Sequence, residues 1–306
     1  MSTIKQIKLS RRDFIGDGVK AAAGVLAGCL NTSYVRGSSP LKGSGIRFGL
    51  VTYLWGKDWD LQTLIRNAQK TEIYALELRT EHAHGVESNL NQKQRMEVKL
   101  RFQNSPVDVI GLGTNWSFHY PDQDRLKKEI EGAKQYLKLS YDIGGSGIKV
   151  KPNDLPAEVE PEKTIEQIAR SLDEIGEFGA AYNQKVRVEV HGEKTQQLPI
   201  MSRIFDRVSQ PNVFVCWNCN SQDLDGKGLE YNFRLVEDRL GDTVHIRELD
   251  SGEYPYQQLF DLFVAMDYSG WFLLEARSNP PDRIKALYDQ RELFEKMITL
   301  SQRKMR

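Results

Sequence analysis

Short apolar runs alternate with longer amphipathic segments along most of this chain, from residue 46 to the C-terminus. Runs of β-branched and apolar residues are typical of buried strands, whereas apolar residues three and four positions apart are typical of helices that cover a sheet. Eight such runs predict strands at 46–52, 73–79, 107–113, 146–151, 186–191, 212–217, 243–248 and 270–275.

The segments between the predicted strands carry apolar stripes at helical spacing. The clearest stripes are Leu61, Leu64, Ile65 and Ala68; Leu126, Ile130, Ala133 and Leu137; and Ile165, Ile168, Ala169, Leu172 and Ile175. Asp122 and Pro161 precede two of these stripes. They predict helix starts there, because an Asp side chain can cap free backbone N–H groups and Pro fits the first helical turn.

The repeated strand-then-helix order predicts an α/β fold, a (β/α)₈ TIM barrel that forms one domain over residues 46–306. The alternative is a doubly wound open sheet. That fold favours a Gly-rich phosphate-binding turn after the first strand, and the G-x-G-x-x-G spacing is missing around Gly56. In a barrel, functional side chains collect at the carboxyl ends of the strands.

The histidines follow this expectation. His82 and His84 come after the second predicted strand, His119 after the third, and His191 and His245 lie at the ends of the fifth and seventh. Histidine binds metals and transfers protons near neutral pH. One end of the predicted sheet therefore carries the chemistry.

Composition and charge describe an ordinary globular chain. It has 306 residues, with 40% hydrophobic and 27% charged residues and a formal net charge of +0. Without a basic surface excess, nucleic acid is not an expected partner. Cys216 and Cys219 form a C-x-x-C, but no second pair completes a zinc site, so both are interpreted as packing residues.

The N-terminus predicts export. Ser10-Arg11-Arg12-Asp13-Phe14-Ile15 resembles a twin-arginine motif, and Leu26-Ala27-Gly28-Cys29 resembles a lipobox. The apolar stretch 21–27 is too short to span a bilayer. We expect residues 1–28 to be a removable signal, Cys29 to carry a lipid anchor, and 29–45 to be a flexible tether. The mature protein would be periplasmic or membrane-anchored. The alternative is an uncleaved amphipathic tail.

Near strand ends, three residues have the chemistry of metal ligands, namely Glu189, His245 and Glu275. Glu189 lies in an apolar strand, with His191 two positions later on the same face. Glu275 closes the last strand, and His245 lies inside the seventh. A buried carboxylate is costly unless it is paired or metal-bound. A salt bridge for Glu189 and a core position for His245 are the alternatives.

On these residues the chain resembles the xylose-isomerase-like sugar phosphate isomerase/epimerase superfamily, from Ile46 onward. The resemblance implies a divalent metal, Mn²⁺, Mg²⁺ or Co²⁺, held by Glu189, Asn218, His245 and Glu275. The family usually has Asp where this chain has Asn218, and often His where it has Ser221. An amide oxygen binds a divalent ion more weakly than a carboxylate, so we expect weaker metal binding, or its loss.

Further residues at the same strand ends are candidates for substrate binding. Lys149 and Lys151 share one face of the fourth strand, where either can transfer a proton or bind an anion, or can pair with Glu77 and Glu189 across the barrel. Trp116 can stack on a sugar ring or simply pack. The candidate substrate-binding residues are Glu77, Arg79, His82, His84, Trp116, His119, Lys149 and Arg247.

The resemblance favours a metal-dependent sugar isomerase or epimerase with a small carbohydrate substrate. It would remove a proton beside a carbonyl to form an enediolate, with Glu189 and Glu275 as acid and base and His191 or Lys151 as helper. Two alternatives stay open. One is a lyase or hydratase acting on 3-keto-glycosides, and the other is a lipid-anchored sugar-binding protein without catalysis.

Overall fold

The computed structural model of the chain describes residues 41–306. Within this range, eight parallel strands pair in sequence order and close into a barrel. The strands are β1 Arg47–Val51, β2 Ala75–Arg79, β3 Asp108–Ser117, β4 Gly147–Lys151, β5 Lys185–Glu189, β6 Val213–Trp217, β7 Leu240–Ile246 and β8 Trp271–Leu274. All eight predicted strands are present, and the predicted barrel is confirmed.

Eight α-helices surround the barrel in the described part of the chain. They are α1 Leu61–Lys70, α2 Gln92–Gln103, α3 Gln123–Ile143, α4 Pro161–Ala180, α5 Leu198–Phe205, α6 Leu229–Arg234, α7 Tyr256–Ala265 and α8 Arg283–Lys304. None of them is long and apolar enough to cross a membrane. The predicted signal 1–28 and the tether up to residue 40 lie outside the described residues.

The helix starts have the local causes that the sequence indicates. The side chain of Asp122 accepts a hydrogen bond from the backbone N–H of Arg125 at 2.8 Å, and Pro161 occupies the first turn of α4. The side chains of Asp60 and Asp282 cap α1 and α8 in the same way. These caps satisfy backbone donors that have no partner within the helix.

Strand β3 is longer than the sequence predicts. It continues to Ser117, which pairs with Lys151 of β4 after an irregularity in the register. Trp116 therefore lies within the strand and not in the loop after it. Gly113 and Asn115 hid this extension, because Gly and Asn are depleted in β-strands.

An ion pair fills the amino-terminal half of the barrel interior. Arg187 of β5 is 1% exposed, and its guanidinium donates to Asp242 of β7 at 2.8 and 3.0 Å. Gly111 and Gly147 make room for it, because a Cβ at either position would lie 3.0 Å or less from the guanidinium. Two residues along β5, on the same face, Glu189 points into the carboxyl-terminal mouth of the barrel.

Candidate active site

Three ligand-type side chains converge at the barrel mouth. Glu189, His245 and Glu275 each offer one atom, and these atoms lie within 4.8 Å of one another. Glu189 ends β5, His245 lies near the end of β7, and Glu275 follows β8. All three are buried. We call these residues the ligand cluster.

His245 shows why the ligand cluster fits a metal ion. Its Nε2 lies 3.3 Å from a carboxylate oxygen of Glu77, which orients the ring. Its Nδ1 faces Glu189 Oε1 at 3.7 Å and has no hydrogen-bond partner among the described residues, although it is buried. Metal-binding histidines usually have one nitrogen held by a carboxylate and the other free for the ion. Glu77, a predicted substrate residue, therefore orients His245.

Lys149 forms an ion pair with the ligand cluster. Its Nζ donates to Glu189 Oε2 at 2.6 Å, and both side chains are buried. Burial raises the pKa of Glu189, but Lys149, His245 and Lys151 together outweigh this effect and hold the pKa well below its ordinary value. Of the two roles considered for Lys149, the geometry supports the salt bridge. Glu189 keeps one oxygen, Oε1, for another partner.

Asn218 follows β6 and is buried beside the cluster strands. Its amide nitrogen donates to the carbonyl of Val190 at 3.3 Å, and the amide nitrogen of Asn220 donates to the same carbonyl at 2.6 Å. Because the nitrogen of Asn218 is held in this way, its oxygen is the atom free to act as a ligand.

Lys151 and His191 lie beside the ligand cluster, and their pKa values differ. Burial and the neighbouring Lys149 lower the pKa of Lys151 to about 8. Burial lowers the pKa of His191 to about 4, and its Nδ1 lies 2.7 Å from the amide oxygen of Asn153. At neutral pH His191 is therefore uncharged, with Nδ1 as donor and Nε2 as acceptor.

Arg79 crosses the inner face of β3. A Cβ at Gly113 would lie 2.7 Å from Glu77 Oε1 and 2.9 Å from Arg79 Cδ, so both side chains occupy the space that the glycine leaves. The guanidinium donates to the carbonyl of Gly113 and, at 3.2 Å, to Asn115 Oδ1. Its Nε is buried without a partner among the described residues.

The two histidines after β2 have different environments. His82 is half-buried, and its Nδ1 lies 3.4 Å from the hydroxyl of Thr52. His84 is buried, with Nε2 2.7 Å from the carbonyl of Arg79, while Nδ1 accepts from the N–H of Val86 at 3.0 Å. Both ring nitrogens bond to backbone, so His84 holds this loop in place; its predicted contact with substrate stays a prediction.

Three other predicted substrate residues are spread around the mouth. Trp116 packs against α3, where a Cβ at Gly132 would lie 2.4 Å from its ring, so it contacts a helix and not the ligand cluster. His119 packs against Tyr120 with ring centroids 4.1 Å apart and the ring planes tilted by 40°. Arg247 follows β7, and its Nε is buried without a partner in the described structure.

Sequence reasoning missed Asp223, which shapes the loop after β6. Its Oδ2 accepts hydrogen bonds from the hydroxyl of Tyr254 at 2.7 Å and from the N–H of Asn220 at 2.9 Å. Burial raises its pKa to about 7. The signal was the Asn-x-x-Asp spacing of a capping turn, directly after the strand that ends in Trp217.

The sequence from residue 65 to 297 matches the family model described as xylose isomerase-like TIM barrel. This match covers most of the chain. The chain belongs to the xylose isomerase-like TIM barrel family. The expected superfamily is thereby confirmed, and no curated protein is significantly similar in sequence.

Solved structures share this fold at low sequence identity. An L-ribulose 3-epimerase has a TM-score of 0.73 and 14% identity, with 85% of this chain and 97% of that chain covered. A 3-keto-D-glucoside 4-epimerase from E. coli has a TM-score of 0.68 and 16% identity, with 82% of this chain and 99% of that chain covered. A D-psicose 3-epimerase from Clostridium cellulolyticum H10, solved with D-tagatose, has a TM-score of 0.68 and 15% identity. The alignment covers 84% of this chain and 99% of that chain. These structural neighbours are sugar epimerases.

Proposed function

We propose that this protein is a metal-dependent sugar isomerase or epimerase that works through an enediolate. One observation carries the proposal: the buried Nδ1 of His245 has no hydrogen-bond partner among residues 41–306 and lies 3.7 Å from Glu189 Oε1, in a cluster that Glu275 completes. Two carboxylates, an imidazole and the amide oxygen of Asn218 suit Mn²⁺, Mg²⁺ or Co²⁺. When bound, a divalent ion supplies electrostatic stabilisation to the enediolate oxygens.

Glu189 and Glu275 differ in how well each can remove a proton from the substrate. Glu189 is ion-paired with Lys149 at 2.6 Å, which makes it a weak base. The nearest cation to Glu275 is Arg277, at 3.7 Å and partly exposed, so Glu275 is the better group to remove a carbon-bound proton. Lys151 has a pKa of about 8, close to neutral pH, and serves as the proton donor that assists it.

The test is turnover of a panel of ketoses and aldoses by purified protein with and without Mn²⁺, Mg²⁺ or Co²⁺. We expect proton exchange with D₂O at the carbon beside the carbonyl, and loss of it with a chelator or in Glu275→Gln. Glu193→Gln, an exposed carboxylate change after β5, serves as the control. Undiminished turnover after complete chelation would overturn the role of the metal.

A lyase or hydratase acting on 3-keto-glycosides is the second candidate. It shares the first step, and Lys151 offers the additional acid that a departing alcohol needs. The structural similarity to a 3-keto-D-glucoside 4-epimerase supports oxidised glycosides as substrates. Release of the aglycone from a 3-keto-glucoside, without conversion of any free ketose, would favour this candidate.

A sugar-binding protein without catalysis is the third candidate, supported by the amide at Asn218. It predicts sugar binding without metal binding or turnover.

We also propose that the chain is exported and lipid-anchored at Cys29, because the two signal motifs occur in the right order. Labelling with a palmitate analogue should be lost in Cys29→Ala.

A further inference from the structure

We propose that the β2–β4 side of the barrel mouth binds an anionic group of the substrate, a carboxylate or a phosphate, through Arg79 and Lys151. We call these two residues the cationic pair. This inference rests on the proposed sugar function and specifies its substrate class as an anionic sugar. The ligand cluster adjoins this side of the mouth, with its members on or just after β5, β7 and β8.

Strand register brings the two cations to the same side. Arg79 is level with Gly113 of β3, and Gly113 is level with Lys149 of β4. Because Gly113 has no side chain, the stem of Arg79 crosses β3 toward β4. Lys151 lies two residues beyond Lys149 on the same face of β4. Both cationic groups therefore face one part of the mouth.

Neither member of the cationic pair has an acidic partner. The other buried cations of the barrel interior do, because Lys149 pairs with Glu189 at 2.6 Å and Arg187 with Asp242 at 2.8 Å. Among the described residues, no carboxylate oxygen lies within 4.0 Å of Arg79 or Lys151. Arg79 is only 9% exposed, and its Nε has no partner. Two neighbouring cations that no carboxylate contacts directly are unfavourable, and an anionic ligand would supply the missing contact.

The charges around the mouth support the same conclusion. Glu77, Glu189 and Glu275 carry three negative charges, and Lys149 with the cationic pair carries three positive ones. Arg277, 3.7 Å from Glu275, and Arg247 after β7 add further positive charge. A divalent ion in the ligand cluster would leave at least two positive charges in excess. An anionic sugar that contacts both the cationic pair and the ligand cluster would reduce that excess, whereas a neutral ketose would not.

The first experiment measures simple anions, because it requires neither metal nor turnover. Inorganic phosphate and acetate are titrated into the metal-free full chain, with glycerol as the neutral control. We expect saturable binding of at least one anion, weakened about tenfold or more in Arg79→Met and in Lys151→Met, as befits a charge-assisted contact of about 1.4 kcal/mol or more. Arg79→Lys should retain part of the affinity, and Arg101→Met, on the exposed face of α2, should retain all of it.

The second experiment identifies the source of the anion. D-glucuronate and D-galacturonate carry a carboxylate, D-glucose 6-phosphate and D-fructose 6-phosphate carry a phosphate, and the neutral parent sugars serve as references. A preference for either anionic set that disappears in both methionine variants supports the proposal. If wild-type protein binds neither simple anion, or both variants bind as well as wild type, the proposal is wrong, even if a neutral sugar is turned over with metal. Anion binding without turnover would leave it standing and contradict the proposed function.

Discussion

At the scale of single residues, the two oxygens of Glu189 have different partners. Oε2 accepts from Lys149, while Oε1 faces His245 and the ligand cluster. Asn218 is fixed by its nitrogen, so only its neutral oxygen is available. Both features reduce the negative charge available to a divalent ion. We therefore expect a metal site weaker than one built with an additional carboxylate.

Replacement of Asn218 by Asp should strengthen metal binding. The carboxylate adds a negative charge at the end of β6, where the amide offers only a dipole, and we expect Mn²⁺ to bind about tenfold more tightly or better. Titration calorimetry with Mn²⁺ alone measures this. Asn183→Asp, at an exposed position before β5, is the matched control. Unchanged Mn²⁺ affinity in Asn218→Asp would place that side chain outside the metal site.

Lys149→Met should make stability depend strongly on metal. Removal of the ammonium leaves Glu189 buried without its partner, which costs about 3–5 kcal/mol of unfolding free energy in the metal-free protein. A divalent ion should recover part of this loss, because it restores a positive charge beside the carboxylate. Urea unfolding with and without Mn²⁺ measures both effects. An equal Mn²⁺ stabilisation of variant and wild type would contradict this account.

At the scale of elements, the loops after β2 and β6 are each held by a buried polar residue. His84 links Arg79 and Val86 in the loop after β2, and Asp223 links Asn220 and Tyr254 after β6. Below the mouth, Arg187 of β5 and Asp242 of β7 join strands across the barrel. These contacts keep the strand ends, and hence the ligand cluster, in position.

Stability should fall in acid partly because of His84. Burial lowers the pKa of His84 in the folded protein. Below the ordinary value near 6.5 the unfolded chain therefore binds more protons than the folded protein, so the free energy of unfolding decreases as the pH is lowered. His84→Gln should cost about 1–2 kcal/mol at pH 7, because a backbone hydrogen bond is lost. Its stability should then decline less steeply than that of wild type as the pH falls below about 6.5. Urea unfolding at several pH values compares the slopes, and equal slopes would exclude His84 as the cause.

Asp242→Ala should destabilise the barrel strongly. Arg187 would keep its charge in the interior without a counter-ion, which costs about 3–5 kcal/mol. The matched control is Asp289→Ala, which breaks an exposed ion pair with Lys285 on α8 and should change stability little. Denaturant unfolding measures the free energy of unfolding of both variants. Equal losses would show that the interior ion pair contributes no more to stability than the exposed one.

At the scale of the whole molecule, charge is distributed unevenly although the chain has a formal net charge of +0. The interior contains an ion pair at the base, carboxylates and imidazole on β5, β7 and β8, and the cationic pair on β2 and β4. Ligands that bind at the mouth should therefore stabilise the entire barrel, because the site is assembled only when the barrel closes.

Mn²⁺ should raise the Tm of the wild-type protein. At about 100 times its Kd, a ligand that binds only the folded state adds about 2.7 kcal/mol, which corresponds to about 5 °C or more for a domain of this size. Glu275→Gln should abolish the shift, whereas Glu253→Gln, an exposed control in the loop after β7, should preserve it. A wild-type Tm that does not respond to any of Mn²⁺, Mg²⁺ or Co²⁺ would contradict a metal site in the ligand cluster.

The sequence by itself determined the order of the elements and the strand ends that carry acids and imidazole. Apolar periodicity is local, so eight strands and the helix starts at Asp122 and Pro161 could be predicted from neighbouring residues. Once a barrel was inferred, Glu189, His245 and Glu275 had to face the same mouth, because parallel strands end on the same side.

Only the tertiary structure decided which of these polar residues pair with one another. Lys149 and Lys151 have the same local pattern, yet only Lys149 meets Glu189, forty positions away along the chain. His84 and His245 are both buried histidines, yet His84 bonds to nearby backbone while His245 meets Glu77, 168 positions away. Pairing depends on barrel register and on the space beside Gly113, and neither is encoded in the periodicity of any one segment.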